Sequence, residues 1–200
     1  MRALIEHSRI ADAPYAVSKV FSDQPDAAGL ALARDLGVPV QALAAAKSAD
    51  RTAYDRTLAA AIGECMPSLI VLAGFMRVLS AQFVSAFPGR ILNIHPSLLP
   101  KFPGLHTHRR ALEADETQHG ATVHFVTEQL DGGPPIIQAR VAVKADDDEA
   151  SLAARVQVLE HRIYPLAVRW FCEDRLHYDE GQAWLDGRVL REPVQFGDRV

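Results

Sequence analysis

The chain lacks most of the features that mark secreted, membrane and fibrous proteins. It has only two cysteines, Cys65 and Cys172, and their wide separation is typical of reduced thiols in a cytosolic protein rather than of a disulfide framework. Its longest apolar run, around Leu69–Ala73, is too short to span a bilayer, and its first residues lack the apolar stretch of a signal peptide. We therefore expect a cytoplasmic protein with no membrane partner.

Positive charge is not in excess either. Lys and Arg number 21 against 25 Asp and Glu, a net charge of −4, so no nucleic-acid partner is expected. Hydrophobic residues at 48% and charged residues at 23% are close to the globular average, which excludes disorder, collagen-like repeats and a coiled coil. A chain of 200 residues without repeats or linkers predicts a single domain over residues 1–200.

Strand and helix patterns alternate along the first half of the chain. Strands are predicted at 15–22, 38–43, 68–73 and 91–94, and helices at 26–36 (capped by Asp26), from Ser48 or Asp50 to about Cys65, and at 80–87. The all-apolar run 68–73 is typical of a parallel strand covered on both faces. Repeated strand–helix–strand units with short links predict an α/β fold, a mostly parallel, doubly wound, Rossmann-like sheet with helices on both faces.

The second half of the chain follows a different pattern. The predicted elements there are strands at 122–126 and 136–143, a helix from Asp148 or Glu149 to about Cys172, and a hairpin over 176–194 turned at Asp186-Gly187. The turn-rich segment Asp131–Pro135 separates the two strands, so antiparallel additions to the sheet are expected. Pro165 should kink the long helix.

Histidines concentrate in one part of the sequence. Five of the eight histidines lie between His95 and His124, beginning at the end of a predicted strand, where ligands bind in open α/β sheets. Asn93 and His95 are two apart on that strand, so their side chains point the same way and together suit a developing oxyanion. The pair also fits a turn amide and a packed core histidine. No metal site is predicted, because His106-Thr107-His108 has no CxxC or HExxH spacing beside it.

Several segments together resemble the phosphoribosylglycinamide formyltransferase (GAR transformylase) family. They are Gly74–Arg77, Asn93–Pro100, Pro103–His108, Gly120–Val126, Leu130–Pro134 and Glu160–Pro165. The Asn-x-His and Asp-Gly-Gly elements are shared by the wider group of enzymes that use 10-formyltetrahydrofolate, whereas Pro103–His108 is more particular to the GAR enzymes. The resemblance extends from near Met1 to the tail hairpin and implies the formyltransferase fold.

The resemblance implies a reaction and a catalytic triad. The family moves a formyl group from N10 of 10-formyltetrahydrofolate to the amine of glycinamide ribonucleotide, a step of de novo purine biosynthesis. The implied catalytic residues are Asn93, His95 and Asp131. In these roles Asn93 and a protonated His95 donate to the formyl oxygen, while Asp131 orients His95 and helps to relay the proton that the amine releases.

Two binding surfaces are implied as well. The implied contacts of the reduced folate, a cosubstrate, are Arg51, Met76, Arg77, Val78, Leu79, Glu128, Gln129 and Leu130. Those of glycinamide ribonucleotide are Gln157 and Glu160. Arg51 suits the folate's glutamate carboxylate because its guanidinium is planar. His106, His108, Thr122 and His124 are expected to line or brace the site without a chemical role, and no metal is implied.

Some alternatives stay open at this point. A formyltetrahydrofolate hydrolase or a methionyl-tRNA formyltransferase domain would share the same triad, and a non-catalytic or impaired folate-binding remnant would keep part of the site. The family opens with a strand and a Gly-rich phosphate loop, whereas Met1 matches a position inside the following helix. We therefore expect an N-terminally truncated domain relative to the family, from a misplaced start or a true truncation, with weakened ribonucleotide binding and lower stability. The expected state is a monomer or weak homodimer.

Overall fold

The computed structural model of the protein describes residues 1–44 and 50–197. Helices and strands alternate through these residues, as the sequence patterns predict. In chain order the elements are α1 (Arg2–His7), β1 (Val20–Ser22), α2 (Ala28–Asp35), β2 (Val40–Ala42), α3 (Arg51–Gly63), β3 (Ile70–Leu72), α4 (Ala81–Ala86), β4 (Ile91–His95), α5 (Thr107–Glu113), β5 (Gln118–Phe125), β6 (Pro135–Ala142), α6 (Glu149–Cys172), β7 (Leu176–Asp179), β8 (Gln182–Leu185), β9 (Arg188–Val189) and β10 (Val194–Gln195).

The strands form a mixed arrangement of parallel and antiparallel pairs. A two-stranded unit, β1-β2, stands beside a five-stranded sheet of order β10-β6-β5-β4-β3. The pairs β1·β2, β3·β4 and β10·β6 are parallel, whereas β4·β5 and β5·β6 are antiparallel. This confirms the predicted α/β fold with antiparallel additions in the second half of the chain.

The tail differs in detail from its prediction. It forms a three-stranded antiparallel sheet, β7-β8-β9, rather than one hairpin. The predicted turn at Asp186-Gly187 is present, and Glu180-Gly181 makes a second turn whose two residues also have positive φ. An acidic residue followed by glycine suits a two-residue hairpin turn at both places.

Helices cover both faces of β4, because successive side chains of a strand point to opposite sides. Leu92 is fully buried in a cluster that includes Val156 and Ile163 of α6. Its neighbour Ile91 packs into a second cluster with Leu58 of α3 and Phe83 of α4. The sheet is therefore the middle layer of three.

The helices allow three local predictions to be compared with the structure, two on N-caps and one on Pro165. Asp50 caps α3 by accepting a hydrogen bond of 3.0 Å from the Thr52 amide; Ser48, the other predicted start, lies outside the described residues. Asp26 does not cap α2. The N-cap is Ala27, one residue later, and no side chain caps this helix. Pro165 lies inside α6 without ending it.

The region between β1 and β3 is loosely filled. Strand pairing in the predicted segment 15–22 covers Val20–Ser22 alone, and β3 is half-buried rather than covered on both faces. Each of the two strands pairs on one side, β1 with β2 and β3 with β4. Their other edges line a cavity of about 950 Å³, which Leu4 and Ile5 of α1 also border. Among the described helices, none is long and apolar enough to cross a membrane.

Candidate active site

Polar side chains share one face at the carboxyl end of β4. In the antiparallel pairing of β4 with β5, Asn93 lies opposite His124 and His95 lies opposite Thr122. Residues two apart on a strand point to the same face, and directly opposed side chains are within contact distance. The apolar Ile91 precedes them on this face, so the face changes from core to polar site along one strand.

His95 is held between two acceptors. Its Nε2 lies 2.9 Å from the carbonyl oxygen of Phe102, and its Nδ1 lies 3.5 Å from Oδ2 of Asp131. A carbonyl oxygen only accepts, so Nε2 carries a proton. Because both ring nitrogens face acceptors, the doubly protonated imidazolium satisfies both contacts. The His95 and Asp131 side chains are 7% and 8% exposed, which shields their contact from water.

Asp131 reaches the site from the loop between β5 and β6. Its φ is +50°, a left-handed conformation that aspartate tolerates better than most residues. Oδ2 also accepts a hydrogen bond of 2.8 Å from the Gly104 amide. A Cβ on Gly133 would lie 1.9 Å from the Phe125 carbonyl oxygen, so glycine is required for this loop to pack closely on β5. In the Asp-Gly-Gly sequence, Asp131 thus provides the polar contacts and Gly133 allows the close backbone packing.

Asn93 contacts the second histidine of the cluster. Its Nδ2 lies 3.2 Å from Nε2 of His124, whose Nδ1 lies 2.9 Å from the Phe125 carbonyl oxygen. Burial lowers the pKa of His124 below its ordinary value. His124 Nε2 also lies 3.8 Å from Oδ1 of Asp131. Asn93, His95, His124 and Asp131 therefore form one continuous group.

The proline-rich segment after His95 is fixed by buried hydrogen bonds. Thr122 Oγ1 donates to the Ser97 carbonyl oxygen at 2.7 Å and accepts from the Leu99 amide at 3.1 Å. Gln138 Nε2 donates to the Leu99 carbonyl oxygen at 2.8 Å. These contacts fix the path of the chain up to Phe102, whose carbonyl holds His95.

His108 and His119 form a separate pair beyond the triad. His119 Nε2 lies 3.1 Å from His108 Nδ1, and the contact joins α5 to the start of β5. Burial, followed by the neighbouring His108, lowers the pKa of His119 to about 4. The pair therefore connects α5 to the strand that carries Thr122 and His124.

Helix α6 carries Glu160 and contacts β3 and β4 through Tyr164. The Tyr164 hydroxyl lies 2.7 Å from the Leu72 carbonyl oxygen and 3.0 Å from that of Leu92. Glu160 is one helical turn before Tyr164, toward the helix end where Arg109 pairs with Glu149. Burial raises the pKa of the Glu160 carboxyl, and the amino group of Met1 opposes that effect.

The predicted folate contacts lie around the carboxyl end of β3 and the loop before Asp131. Met76, Val78 and Leu130 are exposed by 74%, 43% and 53%, unusually high for large apolar side chains. Arg77 lies 4.6 Å from the centre of the Tyr54 ring, which links this loop to α3. The exposed polar residues among the predicted folate contacts are Arg51, at the start of α3, Glu128 and Gln129. Gln157, a predicted ribonucleotide contact on α6, is exposed as well. Leu79 is buried among α3 and α4.

The structure thus joins one part of the predicted site and leaves another part separate. Asn93, His95 and Asp131 are brought together, whereas no hydrogen bond or ion pair among the described residues links the predicted folate and ribonucleotide contacts to these three. Sequence reasoning gave His124 no chemical role and did not foresee the contacts from Phe102 and Gly104. The available signal was that Thr122 and His124 are two apart on a predicted strand, so their side chains share one face. Which residues of β4 they meet depends on the register of β5 against β4.

The match to known proteins agrees with this geometry. The family model described as formyl transferase matches residues 1–168. The chain belongs to the formyl transferase family. Phosphoribosylglycinamide formyltransferase of Escherichia coli (strain K12) is 52% identical over 190 residues, which is 95% of this chain and 90% of that protein. The human trifunctional purine biosynthetic protein adenosine-3 is 39% identical over 169 residues, 84% of this chain and 17% of that protein.

Solved structures of family members share the fold. Phosphoribosylglycinamide formyltransferase from Coxiella burnetii superposes with a TM-score of 0.91 at 43% identity, over 98% of this chain and 92% of that one. The enzyme of the same name from Brucella melitensis gives 0.82 at 47% identity, over 86% and 88%. The expected family and the formyltransferase fold are both confirmed. Within residues 1–44 and 50–197, no group of three or more metal-binding side chains is arranged to hold a metal ion.

Proposed function

We propose that this protein is a phosphoribosylglycinamide formyltransferase. It transfers the formyl group of 10-formyltetrahydrofolate to the amine of glycinamide ribonucleotide, in de novo purine biosynthesis. One observation carries the proposal: Asn93, His95 and Asp131 meet at the carboxyl end of β4 in a chain of the formyl transferase family. The 52% identity to the Escherichia coli enzyme of that name supports this choice of acceptor over others.

The chemistry required is acyl transfer to nitrogen. A bond forms between the acceptor nitrogen and the formyl carbon, the bond from that carbon to N10 breaks, and one proton leaves the acceptor amine while N10 gains one. Negative charge develops on the formyl oxygen in between. The site must therefore supply donors to that oxygen and a route for a proton, and it must hold both substrates in line.

Asn93 and His95 supply the donors. The Asn93 amide has one N–H committed to His124, and its second N–H is available to the formyl oxygen. The imidazolium of His95 places positive charge beside that oxygen. Its Nε2–H, held by a neutral carbonyl of Phe102, is the more readily transferred proton, because Nδ1 faces the carboxylate of Asp131. Removing one oxyanion donor typically costs about 10²–10³ in rate.

Asp131 orients His95 and stabilises its charge. The Gly104 amide fixes Oδ2 of Asp131, so the carboxylate faces His95 in one orientation. It stabilises the imidazolium and serves as the acceptor for the proton that the attacking amine releases, directly or through water. Acid–base assistance of this kind is worth roughly 10²–10⁴ in rate.

The reduced folate is bound by the surface around Met76 and Leu130. The exposed apolar side chains of Met76, Val78 and Leu130 fit a pterin ring that would cover them, since bare apolar patches commonly mark binding sites. Leu79 supports this surface from the core, while Arg77, Glu128 and Gln129 contribute polar groups. Arg51 is exposed at the start of α3, and its planar guanidinium suits a carboxylate of the folate's glutamate tail.

The ribonucleotide is bound on the α6 side of the site. Glu160 is half-buried on α6, and its carboxylate accepts a hydrogen bond from the substrate amine. Gln157, exposed one turn earlier, contacts the polar remainder of the ribonucleotide. Residues 1–200 act in this scheme as one formyltransferase domain.

Formyl transfer by single-residue variants tests the function. Purified protein is assayed with 10-formyltetrahydrofolate and a high concentration of glycinamide ribonucleotide, so that weak ribonucleotide binding does not hide turnover. Asn93→Ala, His95→Asn and Asp131→Asn are expected to lower kcat by about 10²–10⁴. Gln182→Ala, an exposed change in β8, is the matched control and should leave kcat unchanged.

Product analysis separates the alternatives. Release of formate without the ribonucleotide would indicate a hydrolase, and formylation of methionyl-tRNA would indicate that enzyme class. Folate binding without transfer to any acceptor would identify a non-catalytic remnant. Each of these results, or wild-type turnover by Asn93→Ala, contradicts the proposal.

A further inference from the structure

We infer that His124 is a positioning residue that fixes the side-chain amide of Asn93, so that an N–H of this amide points at the reacting carbonyl. The inference rests on the proposed function and concerns the same site. It starts from the cross-strand pair that Asn93 and His124 form on β4 and β5.

The tautomer of His124 follows from its neighbours. Its Nδ1 lies 2.9 Å from the Phe125 carbonyl oxygen, which only accepts, so Nδ1 carries the proton. His124 is 2% exposed, and burial of this kind disfavours a second proton. Oδ1 of Asp131 lies 3.8 Å from Nε2, too far for a hydrogen bond, so Nε2 is unprotonated and accepts from Asn93.

The orientation of the Asn93 amide follows from that acceptor. The atom that faces Nε2 at 3.2 Å must be a donor, which is Nδ2 and not Oδ1. An amide turned by 180° would set two acceptors against each other at the same distance. One hydrogen of Nδ2 is thereby used, and the other is held at a fixed angle on the face shared with His95.

The contacts of His124 and Asn93 depend on one backbone group, the Phe125 carbonyl. The Phe125 carbonyl that sets the tautomer is the one against which Gly133 of the Asp-Gly-Gly sequence packs. The loop that delivers Asp131 to His95 therefore also covers the carbonyl that orients His124. Both oxyanion donors thus depend on one loop, Asp131 for His95 and the Phe125 carbonyl for Asn93.

Two substitutions distinguish the roles of the two ring nitrogens of His124, because each keeps a polar group near only one of them. His124→Gln keeps an acceptor near the position of Nε2, whereas His124→Asn keeps a polar group near the position of Nδ1 and removes the acceptor that faces Asn93. We expect His124→Gln to retain kcat within about threefold and His124→Asn to lose roughly 10–100-fold, less than removal of the donor itself. The KM values for both substrates should stay within about twofold. His177→Asn, the same change at an exposed position of β7, should leave kcat unaltered.

The inference requires that His124 act through Asn93, and a double-mutant cycle measures this directly. In the Asn93→Ala background, His124→Asn should cost less than about threefold, because the amide that it positions is absent. Imidazole ¹⁵N spectra of the wild-type protein should show a protonated Nδ1 and an unprotonated Nε2 for His124 at neutral pH.

Three results would overturn the inference. They are an equal loss for His124→Asn with and without Asn93, a lower kcat for His124→Gln than for His124→Asn, and a protonated Nε2 in the spectra. Loss of formyl transfer by the wild-type protein itself would instead contradict the proposed function, so the two failures are distinguishable. The ¹⁵N measurement needs no turnover and tests the tautomer in either case.

Discussion

The two sides of β3 differ in how completely the strand edges are covered. On one side, β4 pairs with neighbours along both edges, and its inward side chains are fully buried or hydrogen-bonded. On the other side, β1 and β3 each leave an edge along a cavity of about 950 Å³, and their residues are half-buried. The candidate catalytic groups all lie on the fully paired side.

The contrast shows what holds the candidate catalytic groups in place. Asn93 and His95 are on a five-residue strand with partners on both edges, and each side chain has a defined polar contact. Groups of this kind keep their geometry because packing and hydrogen bonds leave few alternative rotamers. The β1–β3 side has shorter strands and fewer atoms to pack against. We therefore expect the same substitution to have different consequences on the two sides.

Truncation of a leucine on each side is the strongest test of the contrast. Leu92→Ala in β4 should lower the free energy of unfolding by about 2–5 kcal/mol, because the side chain is fully buried. Leu72→Ala in the neighbouring β3 should cost about 1–2 kcal/mol, since this side chain is half-buried beside an existing cavity. Urea unfolding of both variants measures the difference. Equal losses would show that the two sides are packed alike.

Local sequence patterns predicted most of the elements but not the site's internal contacts. The alternation of apolar residues gave α3, α6 and β4 within a few residues, because these elements bury one face or stripe. It overestimated β1, whose predicted strand begins at residue 15, since pairing depends on a partner that a local pattern does not contain. The resemblance supplied Asn93, His95 and Asp131. The role of His124 was missed because it depends on the register between two distant strands.

The paired side also contains buried histidines, whose protonation should make stability depend on pH. The pKa of His119 is about 4 in the folded protein against about 6.5 when unfolded. The unfolded chain therefore binds the proton first as the pH falls. Stability is fully present above about pH 6.5 and is lost progressively toward pH 4, by up to about 3 kcal/mol from this residue.

Substitution of His119 measures how much this residue contributes to the pH dependence of the free energy of unfolding. His119→Gln removes the titrating group and leaves a polar side chain near His108, so the loss of unfolding free energy between about pH 7 and pH 4.5 should become smaller. The pKa values of His108 and His124 are also lowered by burial, so part of the slope should persist. His177→Gln, at an exposed position, should keep the wild-type slope. A steeper slope for His119→Gln would contradict the assignment.

The Tyr164 hydroxyl contacts both β3 and β4, in addition to the backbone pairing of these strands, and its removal should have a smaller effect than the Leu92 and His119 substitutions. The Tyr164 hydroxyl has the carbonyl oxygens of Leu72 in β3 and Leu92 in β4 within hydrogen-bond distance. Tyr164→Phe keeps the ring and should cost about 1–2 kcal/mol of unfolding free energy. Amide hydrogen exchange should quicken in β3 more than in β4, since β4 keeps its antiparallel partner β5. Equal protection loss in both strands would mean that Tyr164 stabilises the sheet as a whole rather than its weaker edge.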